Sequence, residues 1–82
     1  MNLQDMMRRL AREPVQHTDF LLELASARRY VEDANRRLAC ALAHAGHLDQ
    51  GVRDRIVQLG KPLGRVHGEI TNIAECAERE VQ

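Results

Sequence analysis

Cys40, His44 and His47 are the residues in this chain whose types and spacing come nearest to metal-ligand chemistry. On a helix the first two share a face one turn apart, and the third follows at a chain reversal. Two or three ligands at one tip do not close a tetrahedral zinc site, and no Cys-x-x-Cys or His-Glu-x-x-His motif accompanies them. The pattern therefore points to no metal and no cofactor. Nucleophilic chemistry has equally little support. Thr18, Ser26 and Thr71 offer hydroxyls and Cys40 and Cys76 offer thiols, but there is no strand-to-helix elbow to present them and no phosphate-binding loop beside them. The chain reads as a non-enzymatic protein without a catalytic residue.

Two interleaved ladders of charge follow. Arg28, Glu32 and Arg36, and in parallel Arg29, Asp33 and Arg37, alternate plus, minus, plus at four-residue spacing. Such pairs contribute about 0.2 to 0.5 kcal/mol each and usually mark a solvated face that neutralises itself. A second use is open to them: Arg28, Arg29, Arg36 and Arg37, with Arg65, could hold a small anionic ligand such as a nucleotide at a subunit interface. DNA ranks below that. The interleaved carboxylates weaken any phosphate-tracking surface, Phe20 and Tyr30 are the only rings available for stacking, and twelve basic residues cancel twelve acidic ones.

The third group is small rather than charged. Gly60, Gly64 and Gly68, extended by Val57 and Thr71, form a row on one side of a predicted helix, and a row of this kind lets another backbone come close. Three glycines weaken a helix by about 2 to 3 kcal/mol relative to alanine, so packing is expected to offset them. This row is the predicted partner-binding site, occupied by a helix of a second subunit or of another protein. A methyl group added at Gly64 is accordingly expected to weaken assembly.

Helices must carry all three groups. Phe20, Leu24, Ala27, Val31, Ala34, Leu38, Ala41 and Ala45 step three then four along the chain, and so do Val52, Ile56, Leu59, Leu63, Val66, Ile70, Ile73 and Ala77. Unbroken heptad register on both sides of Gly46, His47, Leu48 and Asp49 predicts two helices folded back along a coiled-coil-like seam. That pairing sets Leu24 beside Ile70 and Val31 beside Leu63. Repeated alanine at Ala27, Ala34 and Ala41 resembles the packing style of tightly spaced antiparallel helix pairs. Before them, Leu3, Met6, Met7 and Leu10 give a short helix one apolar face, which is expected to lie on the long helices.

The predicted architecture is all-α: an antiparallel helical hairpin with a short N-terminal helix, dimerising into a four-helix bundle. Residues 1–82 form a single helical domain with helices at about 2–12, 14–45 and 49–80. Pro14 at the first helical position opens the second helix, with Thr18 as the fallback cap. Gly46 in the left-handed conformation closes it. Asp49 caps the third, which is expected to kink near Pro62 while remaining one helix.

At 82 residues a single core is near the lower limit of stability, which favours self-association. Within the third helix, Arg53, Arg55, Lys61 and Arg65 against Asp49 and Asp54 leave the first half at +2, and Glu69, Glu75, Glu78 and Glu80 against Arg79 leave the end at −3. An antiparallel copy, or Arg8, Arg9 and Arg12 of the first helix, could answer that acidic end. Folding back near His47 separates Cys40 from Cys76 by roughly 30 Å at 1.5 Å per residue, which makes them free thiols within one chain. No stretch has the length or apolarity of a membrane span, and none has the apolar block of a signal peptide, so a cytoplasmic location is expected. Taken together, these features predict a small homodimeric helical adaptor, regulator or inhibitor that binds an unidentified protein, in the style of a phage or mobile-element accessory protein that blocks a host factor. They argue against a nucleic-acid or membrane partner.

Overall fold

The computed structural model describes residues 2–12 and 19–81, and across them the chain is all-α: α1 (Leu3–Ala11), α2 (Phe20–Ala43), α3 (Gln50–Gln58) and α4 (Gly60–Val81). In α1, the side chain of Asn2 accepts from the backbone N–H of Asp5 at 2.8 Å, while Asp5 lies in the first turn and Arg8 and Arg9 in the last. Both ends thus suit the helix dipole.

Helix α2 is capped by Asp19, which has extended backbone and a carboxylate that accepts from Leu21 N–H at 2.8 Å. The expected start at Pro14, and Thr18 as fallback, fall outside the described residues. The end of α2 differs from the expected one. Helix α2 stops at Ala43, and the chain leaves through tight turns in which Ala45 N–H donates to Leu42 O and Leu48 N–H to Ala45 O. Gly46 does not take the left-handed conformation, because these i to i−3 bonds already satisfy the last carbonyls.

Pro62 does not kink a continuous helix; the helix breaks at Leu59. Proline cannot donate to the carbonyl of Gln58, four residues earlier, and its ring would collide with that oxygen. The chain responds by tightening at Leu59, whose N–H donates to Ile56 O at 3.1 Å, and by starting again at Gly60. Pro62 then stands in the first turn of α4, where a missing N–H costs nothing because no helical acceptor precedes it.

Helix α2 packs on both α3 and α4. Leu24 and Ile70 line one hollow between α2 and α4, and Val31 and Leu63 line another nearer the turn. Half-buried positions trace the same seam: Leu21, Leu24, Ala27, Val31, Ala34, Leu38 and Leu42 on α2, with Ile56, Leu63, Ile70 and Ala77 opposite. Burial goes no further than that. Among the described residues only Ala45 is buried, at 4 % exposure, where α2 ends and the turn closes over it. The radius of gyration is 16.4 Å, against about 12 Å for a compact chain of this length.

Helix α1 corrects another expectation. It packs on none of the other three helices, and Leu3, Met6, Met7 and Leu10 are all exposed.

Candidate functional site

Two flanks run along the α2 to α4 seam, and they differ in chemistry. One carries the glycines. Val31, Glu32, Asn35, Gly60, Leu63, Gly64 and His67 line an open hollow there. Across it, Nε2 of His67 lies 2.8 Å from a carboxylate oxygen of Glu32, a polar link between residues 35 apart in sequence. That hydrogen bond, followed by the nearby charges of His67, Arg28 and Arg29, holds the Glu32 carboxyl below its ordinary pKa. The Thr71 hydroxyl donates to the carbonyl of His67 at 3.1 Å and so is spent inside its own helix.

The predicted partner-binding row is not a continuous stripe lying off the seam. Val57 sits on α3, and the break at Leu59 separates it from the glycines. Gly60 and Thr71 are half-buried against α2, with a Cβ built on Gly60 reaching 4.0 Å from Oδ1 of Asn35. Gly64 and Gly68 face open space: a Cβ on either would meet nothing within 4 Å. Gly64 still borders the hollow that Val31, Glu32 and Asn35 of α2 line, but among the described residues no side chain of α1 or α2 comes within 4 Å of that added Cβ.

The arginine face is also rearranged. Asp33 receives both Arg36 and Arg37, the latter through Nε at 2.9 Å, and these hydrogen bonds, Arg37's being the larger influence, keep its carboxyl below the ordinary range. The same bond raises the pKa of Arg37. Of the two expected ladders, only the Asp33 to Arg37 rung forms as spaced, because Glu32 turns across the seam to His67 and leaves Arg36 to Asp33. Arg29 and Arg36 share a hollow with Tyr30, Glu32 and Asp33, so two carboxylates occupy the space an anion would need. Arg28 and Arg65 line no part of it. Cys40 and Cys76 are free and exposed. Among the described residues, no three His, Cys, Asp or Glu side chains gather where they could hold a metal ion, and no helix is long and apolar enough to cross a membrane.

The opposite flank is apolar. Val52 on α3, Leu59 at the break, and Val66 and Ile73 on α4, each seven residues after the last, are 42 %, 46 %, 47 % and 47 % exposed, a row that crosses the same break as the glycine row. Phe20 joins them at the start of α2, in a hollow shared with Glu69, Asn72, Ile73, Cys76, Ala77 and Glu80. All four residues of the row belong to the second apolar ladder, which the sequence pattern assigns to a single seam. That assignment overlooks geometry: a ladder stepping three then four contains two rows about 50° apart, and one helix on one side covers only the row facing it. The signal was present in the doubled width of the ladder. Nothing local flagged the Glu32 to His67 link, since it depends on how the two helices are rotated against each other.

Compared with known proteins, the chain matches no family model, no curated sequence and no solved structure. Its function must therefore be argued from these two flanks.

Proposed function

We propose that this chain is a non-enzymatic protein-binding module, an antiparallel helical hairpin that acts as a homodimer and serves as an adaptor, regulator or inhibitor of another protein. One observation carries the reading: a heptad row of large apolar side chains stays nearly half exposed while, among the described residues, only Ala45 is buried. Burying apolar surface stabilises by about 25 cal/mol per Å², and a chain this small has little other source of stability. A partner that covers the row supplies what the isolated fold lacks. The alternative, an anionic ligand on the arginine face, has less support because Arg36 and Arg37 are already engaged by Asp33. Duplex DNA would meet the same carboxylates.

Sedimentation equilibrium across a concentration series tests the proposal. A dimer whose thermal midpoint rises with protein concentration is the expected result, since association stabilises by mass action. A stably folded monomer at hundreds of micromolar, by order of magnitude, would defeat it.

A further inference from the structure

The row Val52, Leu59, Val66 and Ile73 carries a second pattern. Three residues after each member come Arg55, Pro62, Glu69 and Cys76, which border the row along its length. In coiled-coil terms this is a seam with apolar residues at one position and two opposite charges at the other, placed symmetrically about Pro62. Neither Arg55 nor Glu69 forms an ion pair within the chain among the described residues. Such charges, unused inside the fold and bordering its exposed apolar row, suit an interface with a partner of matching arrangement.

From this we infer that the row is the self-association surface, and that a second copy lies on it antiparallel, α3 and α4 against α4 and α3, about a two-fold axis near Pro62. The inference rests on the homodimer proposed above and adds its surface and orientation. In this register Val52 faces Ile73 of the second copy, Leu59 faces Val66, and Arg55 meets Glu69 twice. A parallel copy would instead set Arg55 on Arg55 and Glu69 on Glu69 at the edge of a desolvated row, where like charges are costly. The Phe20 side chain, which shares its hollow with Ile73 and Ala77, extends the same surface onto α2. Because Gly64 and Gly68 border the opposite flank, this dimer leaves them in water.

Charge reversal with rescue tests the surface. Arg55→Glu and Glu69→Arg should each weaken the dimer by roughly tenfold in sedimentation, and the double variant should recover to within about threefold of the parent. Val66→Asp should weaken it by more than about thirtyfold, as expected for a central apolar contact. Gly68→Asp, on the other flank, should leave association unchanged. Circular dichroism of each variant at the same concentration separates lost association from lost folding. Orientation has its own readout: under oxidising conditions a parallel dimer would join Cys76 to Cys76, whereas the antiparallel register holds these thiols far apart and gives no such link. A parent dimer that tolerates Val66→Asp and both charge reversals would overturn this surface while leaving the homodimer in place, and a Cys76 to Cys76 cross-link would overturn the orientation. A monomeric parent would bring down the homodimer itself.

Discussion

The glycine flank and the valine and isoleucine flank lie on opposite sides of one helix, yet they have different relations to solvent. On the first, small residues leave space that polar groups span, as Glu32 and His67 do at 2.8 Å. On the second, Val66 and Ile73 present bulk that stays 47 % exposed. The difference teaches that a row of small residues marks where a backbone could approach, while exposed bulk marks where water is costly. Only the second supplies a driving force, because removing apolar area from water is favourable and removing a glycine from water gains almost nothing.

The largest expected effect tests the ground on which the comparison stands. If the helices are held together at the turn by Ala45, then Ala45→Glu buries an unpaired charge and should cost about 3 kcal/mol or more, seen as loss of helical circular dichroism at room temperature. Full helicity in that variant would mean the turn contributes little to packing.

A sharper contrast comes from two identical truncations on one helix. Ile70 is half-buried against α2 and Ile73 is on the exposed row. In urea unfolding at high dilution, Ile70→Ala should destabilise by about 1 to 2 kcal/mol and Ile73→Ala by about 0.5 or less. Equal losses would show that both rows are covered in the same unit.

Smaller still is the effect of filling the glycine flank. With nothing within 4 Å of either added Cβ, Gly64→Ala and Gly68→Ala should each stabilise the helix by up to about 1 kcal/mol and leave association intact. This reverses the expectation drawn from the glycine spacing. Weakened assembly in either variant would return the docking surface to the glycine side.

The smallest effect is the pH dependence of the Glu32 to His67 link. Hydrogen bonding to His67 lowers the folded pKa of Glu32 below its ordinary value of 4.5. A lowered folded pKa means that the folded state binds fewer protons, so the contribution is complete above about pH 4.5 and is lost as pH falls through the folded value. Comparing thermal midpoints of the parent and Glu32→Gln between neutral and strongly acidic pH should show a gap that closes on acidification. A gap of constant size would mean that the carboxylate charge is not what the link uses.

Much of the fold was legible in the residues alone because its causes are local. Helical content follows from apolar residues stepping three then four, the turn from Gly46 to Asp49, and the disturbance near Pro62 from a missing N–H. Where the chain is locally ambiguous, legibility ended: Asp19 competes with Thr18 and Pro14 as a start, and a proline can bend a helix or end one depending on whether the preceding turn can tighten, as Leu59 does. The candidate site was less legible. Val66 and Ile73 were identified as apolar heptad residues, but which of the two rows in their ladder meets α2 is set by the rotation of one helix against another.

What the sequence by itself determined is therefore the all-helical class, the place of the turn after α2 and the excess of apolar surface over what one helix pair can bury. Tertiary structure alone decided that Ile56, Leu63 and Ile70 turn toward α2 while Val52, Leu59, Val66 and Ile73 turn away, that Glu32 leaves its arginine ladder for His67, and that α1 stands apart. The physical reason is that hydrogen bonding within a helix is satisfied between near neighbours and written in their order. Its azimuth is chosen by side chains 30 or more residues away, as Glu32 and His67 are, meeting in space.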